Sequence, residues 1–562
     1  MPFSSRLLVA PVLVAGGVWL SPATPLRTLV ADLISAIQGG SRASLVTAAP
    51  GAARLIASAR GSCEPSGPSA EALGAGEGGE WPEPAPEELA SLDPAALGVV
   101  PAAATARLDA LGRPSAEVAP APHTLDPDRA LAALGRETFV YAEPTFRAKR
   151  LGYLRAGALV HRGAKPVGHA GCADGWYAVE PEGYVCVGKL ATLDLAHPIV
   201  VASRRRPDRT APLPYEYGMS RFPTPPFYTK LPSAAEQRSV EMGLDKHLRA
   251  GAGKSWQEAT LGPVPELLAE GKTSFTWGGG RHSPRSVYTG RALPKSGFAM
   301  LGLFENEGRS FGLSVDLDVM PLDRMQRVAP SEFRGVHLNE EVTLPVVFVR
   351  SRFAQLYDGD PRTGLKRGAP LGYRQVVPIT GKSVRVGGVT YLETTGGGYL
   401  RDEHLTRINP MRNRPGWATP GRTWIDVSIL AQTLVAYEGT TPVYATLVST
   451  GADGLGDPKK THSTIRGQFL IHTKHVTATM SGNEVGDEFD LRDVPYVQYF
   501  MEGYALHAAY WHESFGRPRS HGCINLSPID AGWLFGWTDP PVPERWHGAM
   551  SLRQGTLVHI RP

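Results

Sequence analysis

Short runs of alternating apolar and polar residues, each bounded by turn-forming residues, dominate the chain from residue 137 onward. The clearest are WIDVSILAQTLVAYEG (424–439), TPVYATLVSTG (441–451) and GQFLIHTKHVTATM (467–480). A period of two predicts β-strands that bury one face. Glycine and proline, 63 and 49 of the 562 residues, supply the turns that many short strands need. The sequence therefore predicts a mainly β, multi-domain protein.

The last strand-rich segment, residues 424–562, contains one clear helix signal. The stretch SPIDAGWLFGW (527–537) starts with Ser527, a good N-cap residue, and Pro528, which suits a first helical turn. Its apolar residues Ile529, Trp533 and Leu534 fall on one side of a helix. We therefore expect one helix packed on a sheet in this C-terminal domain.

Two upstream segments share a pattern of short strands and turns. The echoes are LGYLRAGALV (151–160) with LGYRQVVPI (371–379), and WYAVEPEGYV (176–185) with TYLETTGGGYL (390–400). Two copies of one β module explain such an echo. These segments resemble bacterial SH3-like domains, which are small β-barrels, so we expect SH3-like modules at residues 136–195 and 341–410.

The region between these modules, residues 196–340, is predicted to be an accessory α+β region. Residues 231–251 have a helix-forming composition, with Ser233 placed to cap a helix and Gly251 placed to end it. No chemistry is predicted there.

The N-terminus reads as an export signal. Arg6 precedes the apolar run LLVAPVLVAGGVWL (7–20), which is short for a membrane span, and SPA (21–23) suits a cleavage site. We expect residues 1–23 to be a signal peptide, with an uncleaved membrane anchor as the alternative. Residues 24–135 are rich in Ala, Gly, Pro and Glu and predict a low-complexity tether, with a short helix near 98–111. The expected location is the periplasm or cell envelope.

The four cysteines fit an oxidising compartment. Cys172 and Cys186 frame CADGWYAVEPEGYVC, which reads as a hairpin whose cross-strand neighbours come close enough for a disulfide. Cys63 and Cys523 are left over, and lipid attachment at Cys63 is a less favoured possibility. A free thiol at Cys523 in an oxidising space needs a functional reason.

The charge pattern does not favour nucleic-acid binding. The formal net charge is +4, and RRRPDR (204–209) is the only short basic run. We interpret that run as a solvated loop and expect no nucleic-acid partner.

Cys523 lies in the most informative stretch, YALHAAYWHESFGRPRSHGCINLS (504–527), close to His507, His512 and His521. Three interpretations are open: a buried core thiol, a zinc site, or a nucleophile activated by an imidazole. The spacing of the histidines matches no familiar zinc motif. Gly522 leaves room for a substrate carbonyl, and backbone amides beside it can hold an oxyanion. Ser520 and Asn525 can brace the turn.

The string His507–x12–Ser520–His521–Gly522–Cys523–Ile524–Asn525 resembles the signature of the YkuD-type L,D-transpeptidase catalytic domain. TPVYATLVSTG and THSTIRGQFLIHTKHV resemble its leading strands and its Thr-x-x-Gly-x-Phe segment. Ala508 departs from the glycine or serine frequent in the family, but that position contributes a backbone carbonyl. The resemblance covers about the last quarter of the chain and implies a β-sandwich with a capping helix.

The resemblance also implies roles for individual residues. Cys523 would attack the L,D-peptide bond of a peptidoglycan stem, and His507, oriented by the carbonyl of Ala508, would take the thiol proton. The amides of His521, Gly522 and Cys523 would hold the oxyanion. His521 would shape the site and Asn525 would brace its loop.

Three further residues are predicted to bind substrate. Trp511 is a candidate pocket wall, although a plain core role explains it equally well; Tyr510 is a second aromatic candidate. Arg519 would steer stem carboxylates, and a solvated loop arginine is the alternative. No metal or organic cofactor is expected.

The predicted reaction joins two peptidoglycan stems by a thioester intermediate and an acceptor amine. The alternatives are an L,D-carboxypeptidase, a lipoprotein-anchoring enzyme with the same nucleophile, and a non-catalytic peptidoglycan-binding protein.

Overall fold

The computed structural model describes residues 64–65, 125–251, 254–276, 280–482, 488–551 and 553–562. The predicted signal peptide (1–23), nearly all of the predicted tether, the helix near 98–111 and Cys63 lie outside these residues. The described residues all belong to one compact unit of the chain, residues 61–562. No helix in this described part is both long enough and apolar enough to cross a membrane.

The segment predicted as the first β module consists of short strands. They are β2 (Ala130–Ala133), β3 (Thr138–Tyr141), β4 (Arg150–Leu154), β5 (Leu159–His161), β6 (Trp176–Ala178), β7 (Tyr184–Cys186) and β8 (Ala191–Thr192), and a two-residue strand β1 (Glu64–Pro65) precedes them. Strands β5, β2 and β8 form a three-stranded antiparallel sheet. All four residues of β2 are buried, so this module begins a few residues before the predicted boundary at 136. Cys172 and Cys186 are joined by a disulfide across the β6–β7 hairpin region.

The accessory region combines antiparallel strands with short helices. The strands are β9 (Glu216–Ser220), β10 (Pro226–Tyr228), β11 (Tyr288–Arg291), β12 (Gly297–Asn306), β13 (Arg309–Ser314), β14 (Val319–Pro321), β15 (Met325–Arg327) and β16 (Val336–His337). The α-helices are α1 (Pro198–Ala202), α2 (Ala234–Val240) and α3 (Leu244–Arg249). Short 3-10 segments of this region lie at Lys254–Trp256, Glu266–Gly271 and Leu322–Arg324, and others lie outside it at Pro127–Arg129 and Asp402–His404.

The expectation of one continuous helix over 231–251 is wrong, because the helix breaks after Val240. Ser233 caps α2 as predicted, with a reciprocal bond to Glu236. The buried carboxylate of Glu241 then binds Arg309 and Arg324, at 2.7 and 2.8 Å. Glu241 leaves the helical conformation at this position, and Gly243 follows at φ +76°. A buried charge network thus overrides the local helix propensity.

The segment predicted as the second β module forms a seven-stranded antiparallel arrangement. Its strands are β17 (Val346–Val349), β18 (Gln355–Asp360), β19 (Gly364–Pro370), β20 (Val376–Val386), β21 (Val389–Thr394), β22 (Tyr399–Arg401) and β23 (Leu405–Ile408), in the order β19-β18-β22-β21-β20-β17-β23. The SH3-like character of both upstream modules stays a prediction.

The C-terminal segment forms two packed β layers and one helix, as the sequence predicts. Its elements are β24 (Thr423–Ser428), β25 (Thr433–Glu438), β26 (Thr441–Leu447), β27 (Gly467–Leu470), β28 (Thr473–Gly482), β29 (Phe489–Met501), β30 (Tyr504–Ala508), β31 (Ile524–Leu526), α4 (Pro528–Trp537), β32 (Gly548–Met550) and β33 (Leu557–Arg561). One layer has the order β16-β26-β25-β24-β33-β27, and the other contains β28 to β32. Apolar residues from both layers and from α4 share one buried cluster.

Helix α4 is held on the sandwich by a buried carboxylate. Ser527 caps the helix by accepting the amide of Asp530, and Asp530 accepts hydrogen bonds from Tyr444 Oη, Thr446 Oγ1 and the amide of Gly335. Burial raises the pKa of Asp530, whereas the hydrogen bonds that its carboxylate accepts act to lower it. The predicted capping helix and mainly β class are confirmed.

The upstream segments are hydrogen-bonded to the C-terminal layers within the described chain. Strand β4 pairs antiparallel with β32, and β12 meets β29 through a parallel pair, Gly297 and Leu491. Buried ion pairs accompany these contacts: Arg155 Nη1 lies 2.8 Å from Asp493 and Arg492 Nη1 lies 3.1 Å from Asp316. The accessory region therefore packs directly on the layer that carries β30 and β31.

Candidate active site

Two adjacent parallel strands bring His507 and Cys523 to the same side of one sheet. Strands β30 and β31 pair in the register Leu506 with Ile524 and His507 with Asn525. Because side chains alternate between faces, residues 505, 507, 523 and 525 share a face when this register is extended by one residue. Leu506 and Ile524 lie in the sandwich core, whereas Ala505 and Cys523 lie in a second apolar cluster, as this alternation requires.

The ring of His507 is oriented by the carbonyl oxygen of the next residue. Its Nδ1 lies 3.0 Å from the carbonyl oxygen of Ala508. Since a carbonyl oxygen only accepts hydrogen bonds, Nδ1 carries the ring proton and donates a hydrogen bond to that oxygen. Burial lowers the pKa of His507 to about 4, against a smaller raising effect of the Ala508 bond. A neutral ring with its proton on Nδ1 leaves Nε2 as an acceptor for a proton. The expected orienting role of the Ala508 carbonyl matches this geometry.

Cys523 is enclosed in this structure. Its exposed fraction is 0 %, and that of His507 is 2 %. The thiol Sγ lies 3.7 Å from the carbonyl oxygen of Gly503 in the turn between β29 and β30. Cys523 is not part of the Cys172–Cys186 disulfide. The sulfur is therefore not accessible to a polymer substrate in this conformation.

The turn before Cys523 requires glycine at position 522. Gly522 has φ +130°, and a Cβ there would lie 2.8 Å from a ring carbon of Tyr504. The amide of Gly522 donates to Ser520 Oγ at 3.1 Å, and Ser520 Oγ donates to the carbonyl of Cys523. Ser520 thus braces the turn, and the Gly522 amide reaches an oxyanion only by giving up its bond to Ser520.

A threonine that received no predicted role completes the bracing. Thr464 Oγ1 accepts the amide of Gly451 at 2.8 Å and donates to the carbonyl of Gly522 at 2.7 Å. Thr464 is the first residue of the Thr-x-x-Gly-x-Phe segment. The motif in the sequence marks Thr464, but only the structure shows that Thr464 holds Gly522, the residue before Cys523.

Asn525 is held from two sides. Its backbone exchanges hydrogen bonds of 2.9 Å with Ser449, and its carboxamide lies 3.0 Å from His512 Nε2. Because His512 Nδ1 accepts the amide of Ser514 at 3.0 Å, the proton of the neutral ring lies on Nε2. Because Nε2 donates, the carboxamide of Asn525 is oriented with its oxygen Oδ1 toward the ring, where it accepts this hydrogen bond. The same orientation gives Oδ1 the partner that it otherwise lacks. Burial is the main cause that lowers the pKa of His512 to about 3, and the positive charge of Arg519 lowers it further. The ring is therefore neutral.

Three other predicted site residues, His521, Trp511 and Arg519, have different surroundings. The half-buried ring of His521 packs against His462 and Phe489, with centroids 4.5 and 5.0 Å away. Trp511 stacks near the ring of His507, with centroids 5.8 Å apart. The side chain of Arg519 is exposed.

Tyr510 is occupied by packing rather than open to a ligand. Its ring lies 4.7 Å from that of Tyr217 in β9, and its hydroxyl donates to the carbonyl of Arg492 at 3.3 Å. A Cβ at Gly297 would collide with this hydroxyl. Tyr510 is 7 % exposed, so its predicted contact with substrate has little surface to act through.

A metal centre has no support in this arrangement. Within the described ranges, no group of three or more His, Cys, Asp or Glu side chains is placed to hold a metal ion. Both ring nitrogens of His512 are engaged and His507 Nδ1 faces a carbonyl, so of these four ring nitrogens only His507 Nε2 is left to act at Cys523.

Comparison with known families agrees with the site. The model of the YkuD family, the L,D-transpeptidase catalytic domain, matches residues 422–560. This segment is therefore a YkuD-type L,D-transpeptidase catalytic domain, and the predicted resemblance is confirmed. No curated protein matches the chain.

Three solved structures illustrate the likeness. The L,D-transpeptidase (residues 123-326) from Xylanimonas cellulosilytica is 20 % identical over 27 % of this chain and 65 % of that chain, with a TM-score of 0.18. The Enterococcus faecium catalytic domain is 24 % identical over 25 % and 96 %, with a TM-score of 0.19. The Mycobacterium smegmatis L,D-transpeptidase is 18 % identical over 42 % and 89 %, with a TM-score of 0.20. At these scores the structural likeness carries no argument, and the assignment rests on the family model.

Proposed function

We propose that the protein is a peptidoglycan L,D-transpeptidase of the cell envelope, with Cys523 as nucleophile and His507 as general base. The observation that carries this proposal is the orientation of His507. Its Nδ1 is fixed on the Ala508 carbonyl, its ring is neutral, and the strand register puts it on the face that carries Cys523. A structural histidine beside a buried thiol does not need this tautomer.

The first half-reaction forms a thioester. His507 Nε2 takes the proton of Cys523 Sγ as the sulfur attacks the carbonyl carbon of the L,D-peptide bond in a donor stem. The resulting tetrahedral oxyanion is held by backbone amides of residues 521 to 523, once the Gly522 amide exchanges its bond to Ser520 Oγ for one to the oxyanion. When the C–N bond breaks, His507 returns the proton to the leaving amine, and the terminal D-residue departs.

The second half-reaction regenerates the thiol. An amine of a second stem attacks the thioester carbonyl, His507 accepts one of its protons, and the sulfur leaves as the new amide forms. The proton then returns to the sulfur. If water takes the place of the amine the product is a trimmed stem, and if a lipoprotein lysine does, the product is a protein adduct.

Fixed backbone around the nucleophile supports the same proposal. Ser520 and Thr464 hold the carbonyls of Cys523 and Gly522, so the turn is preorganised before substrate arrives. Asn525 and His512 fix the strand that follows. Because the turn contributes mainly backbone groups, its side chains act as braces rather than as reacting groups.

The test is muropeptide analysis after incubation of the full chain with purified peptidoglycan. Cross-linked dimers support a transpeptidase, trimmed monomers a carboxypeptidase, and adducts with an added lipoprotein an anchoring enzyme. The variant Cys523→Ala should give none of these products while keeping the fold. Full turnover by Cys523→Ala would contradict the proposal.

A carbapenem separates catalysis from simple wall binding. Intact-protein mass spectrometry should detect one acyl group on the wild type and none on Cys523→Ala. The matched control His169→Gln, which removes an exposed imidazole, should be acylated as readily as the wild type. An unlabelled wild type that still binds peptidoglycan would favour the non-catalytic alternative.

A further inference from the structure

Residues 509–523 form the loop that joins β30 to β31. In this loop the ring of Trp511 stacks near that of His507, with centroids 5.8 Å apart and an angle of 28° between the ring planes. The next residue, His512, is hydrogen-bonded through Nε2 to Asn525 in β31. The position of this loop therefore determines what packs on the proposed base and what holds the strand after the nucleophile.

An arginine outside the matched catalytic domain binds this loop. It is Arg374, which belongs to the seven-stranded segment formed by β17 to β23, residues 346–408. Its Nη1 donates to Glu513 Oε2 at 2.8 Å, and its Nη2 donates to the carbonyl oxygen of the same residue. Ser331 Oγ donates to Glu513 Oε2 as well, at 2.9 Å. Glu513 is therefore held both by its carboxylate and by its main chain.

Aromatic rings hold the guanidinium of Arg374 in place. Its Cζ lies 4.9 Å from the ring centroid of Phe333 and 5.4 Å from that of Phe515, which is part of the loop. The rings of Phe333 and Phe515 stack on each other with centroids 5.8 Å apart. A cation is attracted to such ring faces, and the side chain of Arg374 is only 10 % exposed. Its bonds to Glu513 thus have a fixed geometry, unlike those of a solvated surface arginine.

The backbone of Arg374 has a conformation that residues with side chains seldom adopt. Its φ is +63°, in the left-handed region. The turn is closed by a bond of 3.0 Å from the Gln375 amide to the Gly372 carbonyl, and the Arg374 amide donates to Val349 in β17 at 2.6 Å. Strained residues of this kind cluster at functional positions, where the surrounding structure enforces them. The connection from β19 to β20 is thus shaped to present Arg374.

Apolar contacts join the same parts of the molecule. Phe348 in β17 and Phe515 in the loop belong to one buried cluster. Trp511 packs against this cluster and also against the cluster that contains Cys523. Because close-packed interiors transmit displacements, a change where the seven-stranded segment meets the loop reaches the site.

We propose that Arg374 is a positioning residue for the reaction at Cys523. By fixing Glu513, Arg374 keeps the two preceding residues, Trp511 and His512, in place beside the proposed base and the strand after the nucleophile. It acts through the loop and not on the reacting atoms. This inference rests on the proposed function, and it gives the seven-stranded segment a part in that reaction.

The test is the rate at which a carbapenem acylates the full chain, followed by intact-protein mass spectrometry at several carbapenem concentrations. It yields the fraction of protein that reacts, the limiting rate constant and the concentration that gives half the limiting rate. Arg374→Ala should lower the limiting rate constant about tenfold, because groups beside the base are displaced, and leave the half-saturating concentration unchanged. A reduced reacting fraction with an unchanged rate constant would show a purely structural role and overturn the proposal.

Variants of Glu513 test the same link without removing a buried side chain. The side chain of Glu513 is 60 % exposed, so Glu513→Ala should fold. It should lower the limiting rate constant about threefold, since it loses one partly exposed ion pair and keeps the carbonyl that Arg374 binds. Glu513→Gln retains an oxygen acceptor and should recover most of that loss.

Arg407→Ala is the matched control, because Arg407 pairs with Asp402 inside the same seven-stranded segment, at 2.6 Å. It should react like the wild type, and a loss as large as that in Arg374→Ala would overturn the proposal. Acylation of the wild type with equal rate constants in Arg374→Ala and Glu513→Ala would overturn this inference alone. Failure of the wild type to be acylated would contradict the proposed function, and this inference with it.

Discussion

Replacing His507 by glutamine should change how stability depends on pH. In the folded protein burial holds the pKa of His507 near 4, whereas an unfolded histidine has a pKa near 6.5. Between pH 4 and pH 6.5 the histidine of the unfolded chain is protonated, whereas the buried ring of the folded protein stays neutral. The contribution of His507 to stability is therefore full above pH 6.5 and is lost as the pH falls toward 4.

The magnitude follows from proton linkage. For a shift from about 6.5 to about 4, the native state loses about 2 kcal/mol relative to the unfolded state between pH 7 and pH 4.5. Glutamine cannot take up that proton, so the difference in unfolding free energy between wild type and His507→Gln should move by about 2 kcal/mol in favour of the variant. Other titrating groups contribute to both curves alike and cancel in the difference.

The assay is urea unfolding at several pH values between 7 and 4.5, monitored by tryptophan fluorescence. His169→Gln serves as the control for the type of substitution, since its ring is exposed. Stability curves of wild type and His507→Gln that stay parallel over this pH range would refute the assignment of His507 as a buried neutral base.

Three other variants test what stabilises the fold, each by urea unfolding. Gly522→Ala should cost about 1–3 kcal/mol and abolish acylation, because φ is +130° and the new Cβ meets a tyrosine ring at 2.8 Å; Gly290→Ala, in open space, should cost less than 1 kcal/mol. Asp530→Ala should cost about 3 kcal/mol, since it leaves buried donors without an acceptor, and a neutral result would contradict the anchoring of α4. Replacing Cys172 and Cys186 by serine should cost about 3 kcal/mol for a cross-link across 14 residues, and unchanged stability would exclude a stabilising disulfide.

The strands and α4 could be predicted because their signals are local. The apolar runs in residues 424–439 predicted strands correctly, and Ser527 with Pro528 marks the start of α4. The expected single buried face was wrong for β24 and β25, because apolar clusters cover both faces of these strands. The helix over 231–251 was wrong for a reason that is not local. Its break follows from the ion pairs of Glu241 with Arg309 and Arg324, and contacts about 70 to 80 residues away in sequence leave no local mark.

The candidate site could be predicted only in part. Cys523 and His507 stand out by their residue types and by a recognisable motif, and the register of β30 and β31 then puts them on one face. The bracing role of Thr464 and the packing of Tyr510 on Tyr217 depend on segments that meet only in three dimensions.

The most direct test of the account is trapping of the thioester. Intact-protein mass spectrometry of the full chain, incubated with a tetrapeptide stem in the absence of an acceptor amine, should detect a mass increase equal to the stem without its terminal residue. Peptide mapping should place that increase on Cys523, and His507→Gln should accumulate it far more slowly. A stem attached elsewhere, or acylation that proceeds unchanged in His507→Gln, would contradict the proposed pair.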